Sequence, residues 1–170
     1  ISKEKETYLA DLLEDLFAQR EQVVIFCQFK QELKRAFEVA QRLSGRRAVL
    51  LDGSVQQDQR DRNLKLFESG TARCIVIQIS VGALGIDLSM SSTAIFYGLT
   101  HKATDYQQSR DRLHGPTQTH PVTYYHLIAD QTVDEGILLR LRNKKNVADR
   151  TLDRAAALEL LAPKYNLENT

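Results

Sequence analysis

Val23-Val24-Ile25-Phe26-Cys27 is an unbroken apolar run, rich in β-branched and aromatic residues. A run without polar alternation reads as a strand buried on both faces. On its amino side Tyr8, Leu9, Leu12, Leu13, Leu16 and Phe17 recur three and four apart, which predicts an amphipathic helix over residues 3–19. On its carboxyl side Leu33, Phe37, Ala40 and Leu43 predict a second helix that stops near Gly45. The alternation then repeats. Ala48–Leu51, Cys74–Ile79, Thr93–Tyr97 and Val122–Ile128 read as further strands. Ser54 and Gln57 form a capping-box pattern for a polar helix reaching about Phe67, and a Gln/Arg-rich helix follows Tyr97. Thr132 and Glu135 form a second such pattern, opening a helix with Val133, Ile137, Leu138 and Leu141 inward. Residues 151–162 predict a last amphipathic helix ending at Pro163. Strands alternating with helices predict an α/β fold, with a mainly parallel sheet covered on both faces.

The 170 residues suffice for one domain with a helical appendage, read as residues 1–150 and 151–170. The net charge of +1 neither demands nor excludes nucleic acid, because a local basic face can bind phosphates without a basic total. Cys27 and Cys74, both inside apolar runs, read as buried thiols of an intracellular protein. No apolar run has the length of a membrane span, so no membrane partner is expected. A chain that begins at Ile1 reads as a piece of a longer one.

In a parallel sheet, working groups sit on loops at the carboxyl ends of the strands. Three loops stand out. Asp52-Gly53-Ser54 offers free N–H groups and a hydroxyl, suited to a phosphate or simply to a turn with a helix cap. Ser80-Val81-Gly82-Ala83-Leu84-Gly85-Ile86-Asp87-Leu88 has two glycines for close backbone approach, and Asp87 could accept from a ribose hydroxyl. Asp105–Gln118 places Gln108 and Arg112 four apart, on one helix face, with Arg112 a charged fork suited to phosphate oxygens.

Other residues carry less. No glycine precedes a lysine, so the phosphate-cradling Gly-x-x-x-x-Gly-Lys loop is missing. Asp134-Glu135 resembles a magnesium-holding acidic pair but fits a helix start better. His101, His114, His120 and His126 lack the spacing of a metal set, so no metal site is expected here. His126 reads as structural.

Taken in order, Val23–Phe29, Leu51–Ser54 with the helix to Gly70, Ser80–Leu88 and Gln108–Gln118 resemble the C-terminal lobe of superfamily-2 helicases. The likeness is greatest to Swi/Snf-type DNA-dependent ATPases. There the third block typically reads Gly-Gly-x-Gly-Leu/Ile-Asn/Asp-Leu, matched by Gly82–Leu88 with Ala83 at its second place. The fourth typically reads Gln-x-x-Asp-Arg-x-His-Arg-x-Gly-Gln, matched by Gln108–Gln118.

The resemblance implies a RecA-like three-layer sandwich that faces an N-terminal helicase lobe across a cleft for ATP with Mg, whose ligands would lie in that other lobe. It implies a catalytic role for Gln108 and Arg112, the latter as an arginine finger. It implies nucleotide contacts from Gly85, Asp87, Gln108 and Arg112, and double-stranded-DNA contacts from Ser54 and Ser80. The chain departs from the pattern at Gly115, where the family places a second arginine. That departure leaves three outcomes open: Arg112 suffices, Arg110 or a nearby base substitutes, or the ATPase is crippled. A second reading therefore stays open: a degenerate, non-catalytic helicase lobe that binds nucleic acid or protein. Arg140, Arg142, Lys144 and Lys145 read as a solvated helix face or an addition to the DNA surface.

Overall fold

The computed structural model describes residues 3–129 and 132–141. The apolar run at its centre, β1 (Val23–Cys27), is buried at every residue. Such a strand needs hydrogen-bonding partners on both edges and apolar cover on both faces. The edges are filled by β3 (Cys74–Gln78) and β4 (Thr93–Phe96), each parallel to β1. β2 (Ala48–Leu51) pairs outside β3, and β5 (Thr123–His126) outside β4, giving an all-parallel sheet in the order β2-β3-β1-β4-β5.

The pleat sorts side chains to two faces. Val24 and Phe26 share one face with Leu51, Ile75, Ile77, Ala94 and Phe96. α3 (Gln57–Glu68) covers that face through Phe67, and the helix over residues 133–141 through Ile137 and Leu141. Val23, Ile25 and Cys27 share the other face with Cys74, Val76 and Ile95. It is covered by α1 (Lys3–Ala18) through Leu9, Leu13, Leu16 and Phe17, and by α2 (Lys30–Leu43) through Leu33, Ala36, Val39 and Ala40. The expected three layers are therefore present.

The connections bear on the site. After β1 the chain turns directly into α2, and the Glu32 carboxylate accepts from the N–H of Gln28 (2.9 Å) and of Phe29 (3.0 Å). This satisfies donors that a helix start otherwise leaves open. Gly98, just past β4, makes room for it: a Cβ there would overlap the Glu32 carboxylate. Lys5 of α1 pairs with Asp134 at 2.8 Å, tying the first helix to the helix over 133–141. Thr132 accepts from the Asp134 N–H (3.3 Å), so the acidic pair serves a helix start as expected.

Four expectations need correction. α3 starts at Gln57 with Gln56 as its cap residue, and Ser54 does not cap it. Ser54 is instead held by Asp52, which competes for the same hydroxyl. Val133 points to solvent with 73% exposure, whereas Ile137 and Leu141 of the same helix are buried. β5 spans only Thr123–His126, shorter than the apolar stretch around it. β3 ends at Gln78, where Ile79–Leu84 winds into a 3-10 turn. The expected helix at 151–162, the boundary at 150, and Arg142, Lys144 and Lys145 lie outside the described residues.

Gly98→Ala should lower the unfolding free energy by about 1 kcal/mol, because Glu32 must leave the two N–H donors of Gln28 and Phe29. Urea denaturation should show a lower midpoint at an unchanged slope. Cys27 and Cys74 are both free and buried, and burial pushes both thiols well above their usual pKa. Thiolate is the reactive form. At pH 8 a thiol-reactive dye should therefore leave the native chain untouched and label both cysteines once denaturant is added.

Candidate functional site

Three loops leave the carboxyl ends of neighbouring strands. After β2, the Asp52 carboxylate accepts from Ser54 twice, from its N–H (2.9 Å) and from its hydroxyl (2.6 Å). The hydroxyl bond is the main reason the Asp52 carboxyl is held below its usual pKa. Ser54 is exposed, on a turn rigidified by its own neighbour. Ser80, also exposed, lies in the 3-10 turn after β3. β2 and β3 pair directly, so the two serines follow adjacent strands at the same end of the sheet.

The 3-10 turn is stopped by Gly85 in a left-handed conformation (φ +72°), which is costly for a residue with a Cβ. Ile86 and Leu88 then point into the core and Asp87 points out. The Asp87 carboxylate accepts from the Ser89 N–H at 2.9 Å.

α4 (Ala103–Asp111) packs against the 3-10 turn. Gln108 is exposed near its carboxyl end, and Arg112 is the residue at which the helix stops. The Arg112 N–H reaches the Gln108 carbonyl at 3.3 Å, so the pair keeps its helical spacing. Arg112 is half-buried, and its carbonyl accepts from the Leu88 N–H at 2.9 Å. That bond joins the Gly85–Leu88 stretch to the end of α4. Arg112, Gln108, Gly85 and Asp87 thus belong to one ledge.

Gly115 stands in the turn below. A Cβ there would lie 2.8 Å from both Asp87 Oδ1 and Ser89 Oγ. A side chain at 115 must displace the Asp87 carboxylate and the Ser89 hydroxyl, which pack against the glycine. Ser89 and Thr117 meet through their hydroxyls. Gln118 closes the turn: its amide donates to the carbonyls of Ser91 (2.8 Å) and Leu113 (3.3 Å), and its side-chain oxygen accepts from the His120 N–H (2.9 Å).

Arg110 faces elsewhere. Its guanidinium lies 4.6 Å from the Tyr124 ring centre and 5.8 Å from that of Tyr106. The Tyr124 hydroxyl meets His114 Nε2 at 2.8 Å and donates to the Arg110 carbonyl at 3.3 Å. Burial, the largest influence, raises the Tyr124 phenol above its usual pKa. Arg110 is therefore part of the packing of α4 on β5. His126 stacks on Phe96 and meets the Tyr106 hydroxyl at 2.9 Å, a structural role as expected.

Sequence reasoning missed Glu32, Ser89 and Tyr124, and gave Gln118 only as the last residue of the fourth block. Only Glu32 left a local signal, standing three residues after the position that opens α2. The others act through partners far along the chain.

An all-parallel five-stranded sheet covered by helices on both faces, with this ledge at its carboxyl end, is an α/β lobe. Residues 4–115 match the family model "Helicase conserved C-terminal domain". The chain belongs to that family. It is similar to the Arabidopsis thaliana "ATP-dependent DNA helicase DDM1", 32% identical over 80% of this chain and 18% of the relative. A Drosophila melanogaster relative, "SWI/SNF-related matrix-associated actin-dependent regulator of chromatin subfamily A containing DEAD/H box 1 homolog", is 29% identical over 81% of this chain and 16% of its own length. The solved "C-terminal part of Fun30 ATPase domain" superposes with a TM-score of 0.71 at 26% identity, covering 79% of this chain and 44% of that one. The chain thus spans less than a fifth of these two curated relatives. The likeness to Swi/Snf-type helicases and the RecA-like lobe are borne out. No helix among the described residues is long and apolar enough to cross a membrane.

Gly115→Ala should destabilise the chain by about 1 kcal/mol by displacing Asp87 and Ser89. Gly115→Arg should destabilise it further. Thermal unfolding of the three chains checks the order.

Proposed function

We propose that the chain is the C-terminal half of an ATP-dependent DNA translocase or helicase of Swi/Snf type, working inside the cell. Residues 1–150 form the helicase lobe and 151–170 a helical extension. ATP is the substrate, held between this lobe and an N-terminal helicase lobe that supplies the Mg ligands. On this side Arg112 stabilises charge on the transferring phosphoryl group as an arginine finger, with Gln108 one turn earlier on the same helix. Gly85 allows close backbone approach, and Asp87 contacts the ribose or couples the lobes. Ser54 and Ser80 hold phosphates of double-stranded DNA, which predicts weak sequence preference and strong salt dependence.

The observation that carries this reading is the bond from the Leu88 N–H to the Arg112 carbonyl, which fixes the base of the arginine on the Gly85–Leu88 ledge. A fixed backbone sets the point from which the side chain reaches, so only its own rotamers remain to be ordered across a cleft. A second reading, a non-catalytic lobe that binds nucleic acid or protein, is favoured by Gly115 alone. The packing of Asp87 and Ser89 against that glycine supports a site built for one arginine, with Arg110 engaged on the tyrosines.

The test is ATP hydrolysis by the full-length protein, with and without duplex DNA. DNA-stimulated turnover that falls about 10³-fold or more in Arg112→Ala, with KM little changed, is the expected result. Absence of turnover in the unaltered protein would establish the binding lobe instead. The 170-residue chain by itself should not turn over ATP.

A further inference from the structure

The opposite end of the sheet carries a feature the ATP-facing reading does not use. Gln22, Arg47 and Arg73 immediately precede β1, β2 and β3. The order β2-β3-β1 sets them side by side, stitched by the Val23 N–H to the Arg73 carbonyl (3.0 Å) and the Arg73 N–H to the Arg47 carbonyl (2.7 Å). Together with Arg20 and Gly70 they line a cleft of about 420 Å³.

Among the described residues, no carboxylate lines this cleft. Among the described residues, no ion pair involves Arg20, Arg46, Arg47 or Arg73. Glu21, next to Gln22, turns its oxygen to Thr93 (3.2 Å) and Ser92 (3.4 Å) instead. Arg73 is anchored: its Nη2 donates to the Phe17 carbonyl at 2.5 Å and its guanidinium lies 4.8 Å from the Phe17 ring centre. Arg47 Nε donates to the Ser44 carbonyl at 3.3 Å. Each guanidinium has five donors, so both keep N–H groups for a ligand. Gln22 is fixed too, its amide donating to the carbonyls of Phe67 (2.6 Å) and Ala72 (3.0 Å).

A second observation points to the same place. The non-glycine residues with positive φ among those described are Arg20 (+63°) and Arg46 (+62°). Both sit in the turns at this end, after α1 and after α2. The left-handed region is where glycine is favoured at a helix end. The carboxyl ends of α1, α2 and α3 carry partial negative charge, which welcomes cations nearby. That accounts for the sign of the side chains, yet it does not account for placing an arginine at position 20, which lines the cleft and has a backbone suited to glycine.

We propose that this cleft, lined by Arg20, Gln22, Arg47, Gly70 and Arg73, binds a nucleic-acid backbone phosphate, at the end of the lobe opposite the carboxyl-end loops. Arginine forks match phosphate oxygens in pairs. No aromatic side chain lines the cleft, so it offers nothing for a nucleobase to stack on. No aliphatic side chain lines it either, so it lacks the apolar anchor of a protein interface. The site stands whether or not the lobe turns over ATP.

The experiment uses the chain with a short labelled DNA duplex of arbitrary sequence. Arg20→Gln with Arg47→Gln should weaken binding about tenfold and reduce the salt slope by about two. Amide resonances of Gln22 and Gly70 should shift with the duplex and, more weakly, with inorganic pyrophosphate. Arg20→Gly should raise Tm and weaken binding together, since it removes an unfavourable φ and a guanidinium at once. Three results would overturn the proposal. One is unchanged affinity in the double variant while Ser54→Ala or Ser80→Ala weakens binding. Another is shifts at Gln22 and Gly70 with polyglutamate but not DNA, the mark of an acidic protein partner. The last is a higher Tm with undiminished binding in Arg20→Gly, the mark of a helix cap alone.

Discussion

Every residue of β1 lies out of water, and a strand in that position has no alternative partner for its backbone donors and acceptors. It must be bracketed by other strands and roofed by helices on both faces. β3 and β4 take the two edges in parallel register, and parallel strands require crossovers long enough to hold a helix. α2, α3 and α4 lie in the connections β1–β2, β2–β3 and β4–β5, and the connection from β3 to β4 holds the 3-10 turn Ile79–Leu84. The burial of five consecutive side chains therefore dictates both the three layers and the direction in which every strand points. It gathers the chemically useful loops at one end of the sheet.

At that end two glycines let polar groups approach backbone that a Cβ would hold off. Gly98 admits the carboxylate of Glu32, which in turn caps α2. Gly115 admits Asp87 and Ser89, so the ledge and the turn after α4 close on one another. The second contact changes how the missing arginine is understood. The position is not an empty socket. Asp87, one of the groups proposed to face the nucleotide, packs against it, and an arginine at 115 would have to displace that carboxylate. Arg110, the other basic candidate nearby, lies over Tyr124. Arg112 is left as the basic group on the ledge itself.

The core was legible to a large degree. Val23–Cys27 and Ala48–Leu51 match strands residue for residue, and α1 ends one residue short of its expected limit. These elements carry their signal in unbroken apolar runs or in three-and-four spacing, both local properties. Helix starts were less legible. Ser54 and Gln57 have the spacing of a capping box, but Asp52 is two residues away and takes the Ser54 hydroxyl first. Val133 fits the inward stripe of its helix, yet in the fold it stands exposed to solvent. The candidate site was legible in its residue types, through Gly85, Asp87, Gln108 and Arg112. It was not legible in its joints, since Ser89 meets Thr117 across 28 residues and Gln118 meets Ser91 across 27.

The sequence by itself determined the strands, the helices, the all-round burial of β1 and the parallel α/β class. Each follows from which neighbouring side chains are apolar and how they are spaced. The tertiary structure alone decided the order β2-β3-β1-β4-β5, the fit of Asp87 beneath Gly115, the placement of Arg110 on Tyr124 and the meeting of Arg20, Arg47 and Arg73 at the amino ends of three strands. These are contacts between segments far apart in the chain. They form only when strand pairing brings the segments together, and local periodicity carries no information about which partner a segment will meet.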